Sequence, residues 1–404
     1  MMTWRQWQQR FDLAARGMAV FAAFSVPLPT AWLTVAMGLL LIFWLLGGGY
    51  SNKWRRMREN PLTRWPLLLL LAFALGLLYS SAGMDEALDK SGKYLKLLYI
   101  PLLISLLDSR LWQTRAANAF LLAMLLTLVV SWGMYAGLIP HATEVFPNTV
   151  FRGRIAQNFF MAFTVYLLFD RFMQDSGRWR WLWGLLSGLA LINVLLLVGG
   201  RTGQLVLLLL ILLAAVQYLN WRGLLAGGLV IVLISLFSYQ FSENFSSRVD
   251  LTLQQLDAFN DGVRNRWKVG PRLEMYSNSL ELIGRHPLVG TGSGSFAIEY
   301  NKLARQKGLA LMSANPHNEY MNIVVQLGLV GLLLFLLLLY NHWRLSAQVD
   351  PRFRGPSQAL VVAMAVGCLF NSFLMDRGEG SFYVVLTAVY LAGLSHARLR
   401  ERGG

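Results

Sequence analysis

Residues 315–341 read NPHNEYMNIVVQLGLVGLLLFLLLLYN, and here a long polar segment, residues 240–316, gives way to an apolar helix. At a rise of about 1.5 Å per residue, the run from Asn318 to Asn341 is long enough to cross a hydrocarbon core of about 30 Å. Asn315 has the character of an N-cap and Pro316 of a first helical position, which places the ring of His317 in the first turn. A helix N-terminus disfavours an imidazolium and nearby arginines act in the same direction, so the imidazole is expected to be neutral near pH 7 and able to accept a proton. The competing reading is a histidine that only hydrogen-bonds at the membrane interface.

Runs of the same kind recur on both sides. Spans are expected near 13–28, 31–48, 66–82, 95–107, 117–138, 157–173, 181–199, 203–219, 223–239, 318–341, 357–375 and 381–397. About twelve transmembrane helices make this an all-α polytopic membrane protein, because only helices satisfy their own backbone inside a bilayer at this composition. Across 404 residues, 55% are hydrophobic and 14% charged, and the mean hydropathy of +0.47 lies outside the range of soluble domains.

The net charge of +15 raises the question of nucleic acid, but its placement reads as topology. With an inward N-terminus, every even-numbered connection falls in the cytoplasm. Those connections hold Lys53, Arg55, Arg56, Arg58 and Arg64, then Arg110 and Arg115, then Arg171, Arg178 and Arg180, then Arg222, then Arg344, Arg352 and Arg354, and the tail adds Arg398, Arg400 and Arg402. The opposite short connections are poor in basic residues and contain Asp85, Glu86, Asp89, Glu144, Asp376 and Glu379. Both termini are therefore expected inside, and no nucleic-acid partner is expected. Residues 1–16 carry Arg5, Arg10 and Arg16 without a long apolar core, so they read as a cytoplasmic tail and not as a cleavable signal peptide.

Three regions follow: residues 1–239 with the first nine helices, 240–316 as one large outer loop, and 317–404 with the last three helices and a short cytoplasmic tail. The loop holds nine Lys or Arg against seven Asp or Glu, a near balance that suits a folded outer segment. Within it, Leu273, Tyr276, Leu280 and Ile283 recur at helical spacing, as do Phe296, Tyr300 and Leu303, which predicts short amphipathic helices along the bilayer surface. The single cysteine, Cys368, lies in an apolar run, so no intrachain disulfide can hold the loop.

Apart from Lys96, ionisable side chains collect at membrane boundaries, which points to work at the interface and not across the bilayer. Arg201 sits in Gly199-Gly200-Arg201-Thr202-Gly203, a turn of minimal length between two spans. Its planar fork of donors matches phosphate oxygens and suits an anion clamp, and a snorkelling arginine among lipid headgroups is the alternative. Arg152 and Arg154, in Phe151-Arg152-Gly153-Arg154, face the same pair of readings, whereas Arg272 is either a third cation of such a site or half of an ion pair within the loop. Glu274, Glu319, Asp376 and Glu379 are outward carboxylates better suited to pairing than to catalysis. His141 and His286 are outward too, but no histidine and carboxylate pair has metal-ligand spacing, so no metal and no cofactor are expected. Gly290-Thr291-Gly292-Ser293-Gly294 looks superficially like a phosphate-cradling loop but lacks the following lysine, and a tight surface turn fits it better. Gly328 and Gly331, three apart, let a neighbouring helix approach closely.

His317-Asn318, nine residues, then Gly328-Leu329-Val330-Gly331 resembles the histidine motif of the O-antigen ligase and polymerase superfamily. The stretch Arg272 to Phe296, with His286-Pro287-Leu288-Val289-Gly290 before the glycines, is similar to that family's outer loop, and Arg201 to its arginine before the eighth span. The resemblance implies a GT-C-like, metal-independent, inverting glycosyltransferase at the periplasmic face of the bacterial inner membrane, working as a monomer on an undecaprenyl-diphosphate-linked glycan donor. It implies His317 as general base, Arg201 and Arg272 as catalytic and diphosphate-binding cations, Arg154 and Arg152 as further diphosphate ligands, and Asn318, Gly328 and Gly331 as supporting residues. The acceptor separates the relatives: a sugar hydroxyl of lipid A-core for a ligase, another lipid-linked glycan for a polymerase, a serine or threonine for a protein O-oligosaccharyltransferase. One large loop before the tenth span and a short tail resemble the ligases. A transporter or flippase of an anionic lipid-linked substrate is the reading from another class, and it would show inverted repeats and broken helices; a membrane scaffold is the third.

Overall fold

The structure, a computed structural model, describes residues 3–141, 143–241, 271–309 and 312–394, together with 247, 250, 251, 253, 254 and 257. The expected basic tail (Arg398, Arg400, Arg402) and the stretch 258–270 of the outer segment lie outside the described residues. No strand occurs among the described residues. The helices are α1 (Trp4–Ser25), α2 (Thr30–Leu46), α3 (Tyr50–Glu59), α4 (Arg64–Leu77), α5 (Met84–Gly92), a 3-10 turn (Leu95–Leu98) leading into α6 (Tyr99–Leu106), and α7 (Arg110–Tyr135). Then come α8 (Arg154–Gln174), α9 (Arg180–Ile192) with a π turn (Asn193–Leu197), α10 (Arg201–Leu219), α11 (Trp221–Phe241) and α12 (Pro271–Arg285). The chain continues with α13 (Phe296–Gln306), α14 (Glu319–Ser346), α15 (Pro351–Phe370) and α16 (Arg377–Leu391).

Each apolar stretch expected to span overlaps helical elements over most of its described residues, but several run past the helix ends, as where α4 stops at Leu77 and α15 at Phe370. Among the described residues, five segments are long and apolar enough to cross a bilayer: α7, α9 with its π turn, α10, α14 and α15. The pair α2 and α3, bent by 119°, adds a sixth if counted together. Val35, Leu71, Val129, Trp181, Leu225 and Leu333 stand exposed on helix flanks, as helices facing lipid would leave them. Residues 4–16, expected as a cytoplasmic tail, are the first half of α1, which opens on a capping box in which Thr3 and Gln6 satisfy each other's backbone amides. Asp12 on that half pairs with Arg16 at 2.8 Å and with Lys53 of α3 at 3.3 Å, and Asp108 takes Arg56 at 2.7 Å and also Arg16. Those ion pairs clip one end of the bundle, where the basic connections predicted to face the cytoplasm collect.

The core is centred on rings from three helices and one turn. Phe382 of α16 stacks on Phe160 of α8 at 4.9 Å and meets Phe120 of α7 at 5.6 Å, while Phe373, between α15 and α16, lies 4.6 Å from Phe159. Aromatic pairs at these separations contribute about 0.5–1.5 kcal/mol each beyond their burial. They hold the 371–376 turn against the start of α8.

At the opposite end, α14 is broken within its length. Gly328 has φ 63° and ψ −161°, a conformation closed to side-chain-bearing residues, and the helix resumes beyond it. The free backbone groups are taken by the segment after α12: Thr291 and Gly292 donate to the carbonyls of Val325 and Gln326 at 2.9 Å, and Leu329 donates to the Pro287 carbonyl at 2.8 Å. A Cβ on residue 328 would lie 2.2 Å from the Leu288 backbone. Gly328 therefore receives a loop, where the sequence suggested the approach of a neighbouring helix. Of the loop helices, α13 buries Phe296, Tyr300 and Leu303 as expected, whereas α12 turns Met275, Ser279 and Leu282 inward and leaves Leu280 exposed.

Gly328→Ala is expected to destabilise the protein by roughly 2 kcal/mol or more, through backbone strain and a lost loop seat. Gly38→Ala, on an exposed helical position with nothing within 4 Å of the added carbon, should be neutral or stabilising. Thermal unfolding of the two variants in detergent checks the contrast.

Candidate active site

The site begins at the start of α14. Asn318, not Asn315, is the N-cap: its side-chain oxygen accepts from the Met321 amide at 3.0 Å, and α14 begins at Glu319. His317 thus precedes the helix and does not occupy its first turn. Its backbone has φ 52°, left-handed and uncommon for a residue with a side chain, and it is held there because its amide donates to the Asn315 side chain at 2.8 Å. Asn315 in turn accepts from Ser372 Oγ at 2.5 Å.

Two side chains converge on the carbonyl of Leu369 at the end of α15: Asn318 Nδ2 at 3.0 Å and Tyr276 Oη of α12 at 3.2 Å, the latter also 3.3 Å from the His317 carbonyl. Next in that turn, Asn371 Nδ2 donates to Thr202 Oγ1 at 2.9 Å. Thr202 is the neighbour of Arg201, the first residue of α10. The start of α10 is locked to α8 because Asn158 Nδ2 donates to the Gly200 carbonyl at 2.7 Å, and because a Cβ at Gly203 would come within 2.6 Å of the Asn158 backbone. Arg154, the first residue of α8, lies with its guanidinium 4.3 Å above the Phe146 ring.

A continuous series of contacts thus ties His317 and Tyr276, through the end of α15, to the N-termini of α10 and α8. The ends of α8 and α10 have glycine N-caps without a side-chain cap hydrogen bond, and each opens on an arginine. Such ends favour an anion, through the helix dipole as well as the guanidinium. Arg272 is close enough to act on His317 electrically: partial burial of the ring first, and the Arg272 charge second, lower the imidazole pKa from its ordinary 6.5. The neutral ring expected from sequence follows, with burial as the leading cause.

Arg152 is placed elsewhere. Its Nη2 donates to the Val26 carbonyl at 2.9 Å, beside Gly378, and burial lowers its pKa against the opposing pull of Glu379. Glu319 is buried, accepting from Tyr94 Oη at 2.6 Å and from the Met375 amide at 3.1 Å, so it braces the root of α14. His141 bonds the Pro147 carbonyl at 2.8 Å. The amides of residues 290–294 are all spent on internal acceptors, namely His286, Val325, Gln326 twice and Gly76, which leaves none to cradle a phosphate. Among the described residues, no group of three or more His, Cys, Asp or Glu side chains is arranged to hold a metal ion.

Residues 185–336 match the family model described as O-antigen ligase. Over that segment the chain is similar to the O-antigen ligase family. No curated protein matches the chain. Arg201, Arg272, His317, Asn318, Gly328 and Gly331 lie inside the matched segment, and Arg152 and Arg154 precede it. Sequence reasoning did not single out Asn371, Thr202 and Tyr276 for the site. The asparagine ending an apolar run and the threonine beside Arg201 were visible, but nothing in the chain order announced that they would meet.

In an NMR titration, His317 should lose its proton below the usual 6.5, and Arg272→Gln should raise that midpoint by removing a like charge. A midpoint that does not move would separate Arg272 from the ring.

Proposed function

We propose that this O-antigen ligase family chain transfers an O-antigen glycan from undecaprenyl diphosphate to a sugar hydroxyl of lipid A-core, at the periplasmic face of the bacterial inner membrane. In this reading about twelve helices cross the bilayer in a GT-C-like arrangement, both termini are cytoplasmic, and the protein acts as a monomer without cofactor or metal. The observation that carries it is the series of contacts joining a neutral histidine to arginine-headed helix N-termini from distant parts of the chain.

His317 takes the proton of the acceptor hydroxyl, and the oxygen attacks the anomeric carbon from the face opposite the diphosphate. The glycosidic bond to the diphosphate breaks and its electron pair leaves on the phosphate oxygen, which inverts the configuration. Arg201, Arg272 and Arg154 hold the diphosphate and stabilise its growing charge. The leaving group needs no general acid, and the imidazolium returns its proton to water. Arg152, bonded to Val26 and lying beside the start of α16, contributes to diphosphate binding less directly than the other three.

A polymerase or a protein O-oligosaccharyltransferase would use the same machinery with another acceptor. The break in α14 is a feature the flippase reading anticipates, but its backbone groups are filled by the protein's own 287–292 segment, which favours a fixed scaffold.

Purified protein, lipid-linked O-antigen and rough lipopolysaccharide should give laddered product in the presence of a chelator. A general base contributes about 10²–10⁴ in rate, so His317→Ala should lose product to that extent while still binding donor. Arg201→Ala and Arg272→Ala should weaken donor binding as well. Near-normal turnover by His317→Ala would remove the base, and loss of product with chelator would remove the metal-free mechanism.

A further inference from the structure

A cavity of about 610 Å³ lies between α2, the segment from α5 to α6, and α16, and it shares no lining residue with the His317 site. The volume is in the range of sites that bury a small ligand, about 300–1,000 Å³. Its three walls are graded in the same direction. On α2, Thr30 and Thr34 give way to Met37 and Leu41, one helical face that runs about 16 Å at 1.5 Å per residue. The second wall passes from Lys93 and Lys96 to Leu98 and Leu102, and the third from Arg377 and Ser381 to Val384. One end is cationic and hydroxylated, the rest is hydrocarbon. Leu41 and Leu98 are also exposed on the outside of the bundle, so the groove opens sideways towards lipid.

At the polar end the lining holds three cations, Lys93, Lys96 and Arg377, against one carboxylate, Asp89, with Asp376 close enough behind the lining to act on Lys93 and Lys96. Asp89, the one carboxylate in the lining, is paired with Lys90 at 3.4 Å. Lys96 is turned into the protein, donating to the carbonyls of Met375 and Asp376, where Glu319, Asp376 and Glu379 compensate it. Among the described residues, Lys93 and Arg377 have no ion-pair partner. Arg377 is the first residue of α16, where Asp376 at the N-cap and Glu379 in the first turn meet the positive end of the helix dipole, so the side chains of Lys93 and Arg377 are what make the rim cationic.

We propose that this groove seats one anionic phosphate-bearing lipid of the outer leaflet, its phosphate against Lys93 and Arg377 and a hydrocarbon chain along Met37, Leu41, Leu98 and Leu102. A free phosphate would leave the apolar wall unused, and a zwitterionic lipid would bring a cation to a cationic rim. The site depends on the chain lying in a membrane and not on the transferase reading.

Native mass spectrometry of the detergent-solubilised full chain, titrated with phosphatidylglycerol, phosphatidylcholine and inorganic phosphate, tests it. Phosphatidylglycerol should be retained at least about tenfold better than phosphatidylcholine, a ratio that two surface cations can supply. The double variant Lys93→Glu with Arg377→Glu should abolish that preference. Leu98→Trp, which fills the groove and keeps its charges, should lower retention of phosphatidylglycerol by a similar factor. Equal retention of the two lipids, or indifference to these substitutions, would overturn the proposal. Displacement of phosphatidylglycerol by inorganic phosphate would overturn it in favour of a bare anion site.

Discussion

A helix broken inside an apolar bundle has to find partners for the carbonyls and amides it releases, because each one left unpaired away from water costs several kcal/mol. In this protein the partners of α14 come from one segment, residues 287–292, which threads into the break at Gly328 and bonds on both sides of it. The same segment is pinned from below by α4, where Ser293 donates to the Gly76 carbonyl and Ser81 donates to the Thr291 carbonyl at 2.9 Å. α12 enters this segment and α13 leaves it, so the two loop helices take their position from the break. The resemblance to a phosphate loop and the functional pull of a glycine run both dissolve into this backbone accounting.

What stands above the break is correspondingly rigid. Asn318 caps the upper part of α14 and also grips the end of α15, Tyr276 of α12 reaches the same carbonyl, and Glu319 is buried against Tyr94 and the 371–376 turn. His317 is left in a left-handed backbone between these anchors. Strain of this kind persists only where the surroundings over-determine it, and it gathers where side-chain direction matters more than local comfort. The arginines are placed by a different device: close packing of α8 on α10, with asparagine 158 serving as the bolt.

The groove lined by α2, the α5–α6 segment and α16 and the histidine site are neighbours joined by one short turn. Met375 and Asp376 offer their carbonyls to Lys96 on the groove side, while the Met375 amide faces Glu319 beneath His317. Two polar ends thus meet across this turn, one with His317 and the helix-end arginines, the other with Lys93 and Arg377 over an apolar wall.

The order of amino acids settled the class of the molecule, since apolar runs of spanning length leave a chain no other solution in a bilayer, and basic residues at alternate connections carry an orientation signal of their own. It also marked His317, Arg201 and Arg272, because charged and titratable residues at apolar boundaries stand out against a background of leucine, and their pattern resembles a known family. Tertiary structure alone decided that Asn318 is the cap, that Gly328 is a break and that Arg152 turns towards Val26. It also made Asn371 and Thr202, 169 positions apart, the link between the turn beside His317 and the start of α10. The physical reason is that spans of similar hydrophobicity do not encode their neighbours: partner choice rests on glycine-sized gaps and on a few side-chain hydrogen bonds that exist only once distant helices have met.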